Sequence, residues 1–206
     1  SGGTNRGANT GSHFFTRGEI GMELGVNTVF AIKRWIDPYE WANVVAKEFG
    51  VTLIQISTDS VDPNWPLDVS LRWAQRVKDA CQQFGITIHS FFNGFGGYLN
   101  SLALNDDVEI RSHALKWALK AVKIAGAMGA KSFGAYAGAM SVSAFQKPHA
   151  RAFAFDRAVE FWGHVAVVAK HEGLSYILFE PTPVLREIPH TIDESIGLVR
   201  AVSRLS

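Results

Sequence analysis

The sequence predicts a parallel α/β architecture of five β/α units, the first five-eighths of a (β/α)8 TIM barrel. Three observations predict it. From Met22 onward, short apolar runs suited to strands alternate with long stretches of helical period. No antiparallel hairpin signal interrupts them, and alternating elements require a parallel sheet with right-handed crossovers. The first strand run leads into Val29-Phe30-Ala31-Ile32-Lys33-Arg34-Trp35, without the glycines that a dinucleotide fold places there. That disfavours a doubly wound nucleotide fold. A full barrel takes about 250 residues. The chain has 206, so it is expected to stop after the fifth unit and leave an open sheet edge.

The strand-like runs lie at about 23–28, 53–57, 86–92, 131–136 and 175–180. The first helix is expected to start at Asp37-Pro38-Tyr39-Glu40, with a capping acid, proline at the first helical position and glutamate in the first turn. It should end at Phe49-Gly50. The second should run from about Leu67 to Phe84-Gly85 and the third from about Asp107 to Met128-Gly129, glycine supplying each stop. Lys116, Lys120 and Lys123 share one side of the third, which reads as a solvated face. The fourth should run from about His149 to His171-Glu172-Gly173. The fifth opens with a capping box, Thr191-Ile192-Asp193-Glu194. Phe95-Gly96-Gly97 reads as the start of a long loop rather than a phosphate-binding turn.

Composition narrows the function classes. Net charge is +1, which argues against nucleic-acid or membrane-surface binding by bulk charge. Charged residues are 19% and hydrophobic residues 47%, so a large core or buried interfaces are expected. The single cysteine, Cys81, excludes an internal disulfide and fits a reducing, cytoplasmic setting. No apolar run reaches the ~18 residues of a membrane span. Residues 1–21 are Gly-, Asn- and Ser-rich and are expected to be a disordered leader, tag or read-through. Met22 is the expected natural start, and 22–206 the partial-barrel domain.

Glu180 closes the apolar run Ser175-Tyr176-Ile177-Leu178-Phe179, and Pro181-Thr182-Pro183 comes directly after it. A carboxylate so placed is held at the C-terminal rim of a parallel sheet, where barrel enzymes do their chemistry. Burying it unpaired would be costly. Leu24-Gly25-Val26-Asn27-Thr28, His89-Ser90-Phe91-Phe92-Asn93-Gly94 and Phe179-Glu180-Pro181-Thr182-Pro183 resemble the xylose-isomerase-like TIM-barrel superfamily of sugar-phosphate isomerases and epimerases. With Arg186-Glu187-Ile188-Pro189-His190-Thr191-Ile192-Asp193-Glu194, the fifth segment resembles the L-erythrulose-1-phosphate 3-epimerase branch.

The resemblance implies one divalent metal, Mn, Co or Mg, with ligands from strands five to eight; Glu180 is the one that matches here. It implies epimerisation or isomerisation of a ketose or ketose phosphate through an enediolate, by two carboxylates on opposite sides of the reacting carbon. Glu180 is then metal ligand and acid/base group, and the second carboxylate lies on strand eight. Glu187 would orient a substrate hydroxyl, with Arg186 in support, although the two could equally form a loop ion pair. His89, Asn27 and Gln55 are candidate substrate-binding residues at the rim; the place of His89 at the end of Ile86-Thr87-Ile88 favours the rim over a core histidine, whereas Asn27 and Gln55 could equally be structural amides. Asp59 reads as an Asx turn. Lys33-Arg34-Trp35 could receive a phosphate, but reads better as a solvated loop. Phe91, Phe92, Phe95 and Tyr98 could wall the sugar or simply pack the loop.

The expected partner is a small-molecule sugar or sugar phosphate, with no nucleic acid and no membrane. Two further readings stand beside this one. A non-catalytic partial barrel would pair its open edge in a homo-oligomer. An apurinic endonuclease would want a histidine after the fourth strand, where Gly134-Ala135-Tyr136-Ala137-Gly138 stands instead.

Overall fold

The computed structural model describes residues 22–99 and 102–205, so the leader expected at 1–21 lies outside the described residues. Five strands form one parallel sheet in sequence order: β1 Gly25–Asn27, β2 Leu53–Ser57, β3 Thr87–Phe92, β4 Ser132–Ala135 and β5 Tyr176–Phe179. Sequential parallel order with right-handed crossovers puts the connecting helices on one face, as in a barrel wall rather than a doubly wound sheet. β1 and β5 are the two edges.

The expected strands are all present; β2 matches its apolar run and the other four are slightly shorter than theirs. β1 is cut to three residues because Asn27 Oδ1 accepts the N–H of Val29 at 2.9 Å and starts a 3-10 turn, Thr28–Ala31. One irregularity lies between β2 and β3. Ile54 pairs with Ile88 but Gln55 pairs with Ser90, so His89 is an extra residue, a β-bulge.

The helices are α1 Pro38–Val44, α2 Leu67–Gln83, α3 Phe95–Tyr98, α4 Val108–Met128, α5 Val142–Phe145, α6 Ala150–His171 and α7 Ile192–Val202. Asp37 caps α1 as expected, and Asp107, the expected start of the third helix, caps α4. α1 widens into a π turn, Val45–Phe49, before stopping at Gly50 with φ of 66°. The short α3 and α5 are absent from the helical periodicity. α3 replaces the long loop expected at 95–97, because the Asp59 carboxylate accepts the N–H of Phe95 at 2.9 Å and of Gly96 at 3.2 Å. Lys120 is not wholly solvated: its ammonium donates to the Trp65 carbonyl.

Alternation along β2 sends Ile54 and Ile56 into the core between sheet and helices. They meet alanine-rich sides of the long helices: Ala118, Ala121 and Ala125 on α4, Ala158 and Ala169 on α6. Small side chains let helix and strand approach, and Phe91, Phe133, Trp117 and Trp162 fill the remaining space. Cys81 is buried, and burial pushes its thiol up to about 12, which removes it as a nucleophile. No described helix is long and apolar enough to cross a membrane.

Gly134 in β4 is a close-approach glycine. An added Cβ would run into the Phe92 ring and lie 2.9 Å from the Leu178 side chain. Gly134→Ala is therefore expected to destabilise by about 2 kcal/mol through overpacking, read as a lowered urea midpoint at unchanged m.

Candidate active site at the C-terminal rim

The rim is built from the segments just past β2, β3, β4 and β5. Thr58 and Asp59, at the end of β2, hold α3: Gly94 donates to Thr58 Oγ1 at 2.7 Å, and Asp59 caps the helix. Asp59 is thus a cap for another segment rather than the isolated Asx turn expected. α3 carries Tyr98 inward, and its phenol donates to Glu187 Oε1 at 2.8 Å. Thr182, in the proline-rich loop after β5, donates its hydroxyl to the other oxygen, Glu187 Oε2. Glu187 is buried, at 6% exposure.

The loop after β5 is fastened from several sides. Ala139 and Glu187 form an antiparallel bridge, and Met140 N–H donates to the Arg186 carbonyl at 2.7 Å. Arg186 returns the bond from Nη1 to the Met140 carbonyl. Arg186 therefore supports the loop that presents Glu187, and the ion-pair alternative is not formed. Arg151, near the start of α6, donates to the Leu185 and Glu187 carbonyls and to both oxygens of Glu194.

Glu180 stands exposed directly after β5, as the sequence predicts. Its neighbour is Tyr136, just past β4. Burial, then the charge of Glu180 and a hydrogen bond to it, push the Tyr136 phenol up to about 12. Tyr98 is raised as well, chiefly by its hydrogen bond to Glu187. The two phenol rings lie 4.6 Å apart. One tyrosine pair therefore keeps its protons and faces both carboxylates.

The other candidates gather elsewhere. Asn27 Nδ2 donates to Gln55 Oε1 at 2.6 Å, and Gln55 Nε2 donates to Ser90 Oγ at 3.0 Å. Ser90 Oγ lies 3.4 Å from His89 Nδ1, and His89 Nε2 lies 2.9 Å from the Tyr176 hydroxyl. Asn27, Gln55 and His89 thus belong to one polar chain that crosses the sheet from β1 to β5 and includes neither Glu180 nor Glu187. Of the aromatic candidates, Phe91 and Phe92 are buried, Phe95 is exposed, and Tyr98 alone makes a polar contact in the site.

Sequence reasoning passed over Tyr136, Thr182 and Arg151. Thr182 carried a usable signal, a hydroxyl two residues past a strand-end carboxylate. Tyr136 and Arg151 carried none, since their partners are 44 and 43 positions away.

The donor set decides how far a divalent ion fits. No three His, Cys, Asp or Glu side chains among the described residues come together as a metal-binding group. Both oxygens of Glu187 already accept from hydroxyls, which leaves Glu180 as the available carboxylate of the pair. The described residues do not complete a metal site.

Comparison with known proteins agrees with the fold. A family model described as Xylose isomerase-like TIM barrel matches residues 44–206. The D-erythrulose 1-phosphate 3-epimerase of Brucella abortus (strain 2308) is 26% identical over 179 residues, covering 87% of this chain and 57% of that protein. It is named for the D rather than the L sugar phosphate. A crystal structure described as a candidate xylose isomerase from Rhodospirillum rubrum is 31% identical, with a TM-score of 0.84 over 88% of this chain and 62% of that one. The D-psicose 3-epimerase of Clostridium cellulolyticum H10, solved with D-tagatose, is 18% identical and shares the fold at a TM-score of 0.67, covering 88% of this chain and 60% of its own. The chain thus spans less than two thirds of each of these relatives. With the family model matching well over half of its length, the chain belongs to the xylose isomerase-like TIM barrel family.

Proposed function

We propose that this chain forms part of an enzyme that epimerises or isomerises a ketose or ketose phosphate. The observation that carries the reading is the division of labour between two carboxylates at the β5 rim. Glu180 is exposed and able to take a proton, whereas Glu187 is buried and fixed by two hydroxyl donors. In the proposed reaction the proton on the carbon next to the carbonyl moves to Glu180. The electron pair of that C–H bond becomes the C=C bond of an enediolate. Return of a proton to the opposite side by a second carboxylate, outside the described residues, gives the epimer. Glu187 holds a substrate hydroxyl. A divalent ion, Mn, Co or Mg, enters the proposal only through Glu180, which would be one of its ligands. The test is solvent deuterium incorporation next to the carbonyl of a ketose or ketose phosphate, with the full-length protein.

A second reading is favoured by the sheet edge. Among the described residues β5 has no strand on its outer side, and a groove of mixed polarity, with Leu174, Ile177, Phe179, Val199 and Val202 in its lining beside Lys170, runs along it. A non-catalytic partial barrel would pair that edge with a second copy. Metal separates the two readings for the 206-residue chain. A lone carboxylate binds Mn weakly, so roughly 1 mM Mn, well below its Kd, should raise Tm by less than about 1 °C. A rise of several degrees would overturn the non-catalytic reading, because it requires further metal ligands beside Glu180.

A further inference from the structure

α3 lies across the rim as a cover held at both ends. Asp59 holds its first turn through the N–H groups of Phe95 and Gly96. Tyr98 holds its far end on Glu187 at 2.8 Å. Between these points Gly97 presses onto Asn93: a Cβ on Gly97 would overlap Asn93 Oδ1. Asn93, at the end of β3, is 5% exposed, and both its Oδ1 and its Nδ2 lack a partner. Buried polar groups in native proteins are nearly always paired. The covered arrangement leaves this amide with nothing to bind.

The chemistry of the latch names its replacement. The donors to the Glu187 carboxylate are hydroxyls, from Tyr98 and Thr182. Arg151 reaches only its backbone carbonyl. One hydroxyl can replace another there without changing the charge of a buried site. The amide beneath offers both a donor and an acceptor, which matches a second hydroxyl.

We propose that α3 is a sugar-displaced cover: Tyr98 occupies on Glu187 the place of a ketose hydroxyl, and its release exposes Asn93 to the same sugar. This rests on the ketose reading above. Tyr98 is an internal competitor of substrate, and removing its hydroxyl strengthens binding rather than weakening it.

The test uses the full-length protein and two variants, Tyr98→Phe and Asn93→Leu. D-Erythrulose 1-phosphate, the sugar of the Brucella relative, serves as the probe in calorimetry. Without sugar, amide exchange over 95–99 should quicken about tenfold in Tyr98→Phe, the loss of one hydrogen bond to a charged acceptor. With sugar, Tyr98→Phe should bind about tenfold more tightly, and Asn93→Leu about tenfold more weakly at unchanged Tm. Unchanged exchange in Tyr98→Phe overturns the latch, as does equal or weaker sugar binding by that variant. Unaltered binding by Asn93→Leu overturns the role of the amide. Failure of all three forms to bind the probe counts against the ketose reading instead, and the exchange comparison still decides the latch.

Discussion

Glu180→Gln in the full-length protein is expected to slow deuterium incorporation next to the ketose carbonyl by a factor of roughly 10²–10⁴, the usual worth of a positioned acid/base group. Glutamine keeps the size of the side chain and an oxygen able to accept from Tyr136. It cannot take a proton from carbon. Glu180 is exposed and lies beyond the last residue of β5, so the substitution removes no core contact, and the melting temperature should stay within about 1 °C, as for ordinary surface changes. Loss of exchange with an intact fold would separate the chemical role from a structural one. Exchange retained within a few-fold of wild type would remove Glu180 as the base. The proton acceptor would then have to be a different group from Glu187, which is buried beneath two hydroxyl donors.

Local signals in the sequence carried over into the structure, and long-range ones did not. Asp37 and Thr191 were readable as caps because a cap and its N–H partners are neighbours in sequence. Glu180 was readable because strand, carboxylate and proline stand in direct succession. The roles of Asn27, Gln55 and His89 were not. A bulge of one residue decides which way His89 and Ser90 point, and nothing in Thr87-Ile88-His89-Ser90 announces it. The capping box shows both cases at once. Thr191 Oγ1 accepts the Glu194 N–H at 3.1 Å, as the spacing predicts. The Glu194 carboxylate does not close the box; it takes Arg151 and the His190 N–H instead. A guanidinium 43 positions away outcompetes the local donor, and sequence spacing holds no record of it. The same limit hid Tyr98 on Glu187, a pair 89 positions apart that ties the β3 rim to the β5 rim.

Arg151→Met should be the most damaging single change to the loop that presents Glu187. Arg151 Nε and Nη2 reach the two oxygens of Glu194 at 2.5 and 2.6 Å, and its guanidinium also donates to the Leu185 and Glu187 carbonyls. Both side chains of the ion pair are partly shielded, at 32% and 20% exposure, so the pair is worth more than a surface bridge. Methionine keeps the packing of the stem but leaves Glu194 and two carbonyls without their donor. The expected cost is about 3 kcal/mol, seen as a urea midpoint lowered by about 1–2 M for a chain of this size. The pH dependence identifies the cause. Burial raises the carboxyl of Glu194, but the Arg151 hydrogen bonds, the His190 N–H and nearby positive charge outweigh it and hold it below its ordinary 4.5. A carboxylate lowered by folding contributes its stability above that ordinary value and loses it as pH falls through the lowered one. The gap between wild type and Arg151→Met should therefore be full at pH 7 and shrink progressively below about 4.5. A gap as wide at pH 3 as at pH 7 would assign the loss to the two carbonyl contacts rather than to the ion pair. In either case Glu187 loses one of the bonds that hold its backbone, beside the Ala139 bridge, so substrate binding in the full-length protein should weaken at pH 7 while Glu180, on the other side of the proline-rich turn, keeps its place.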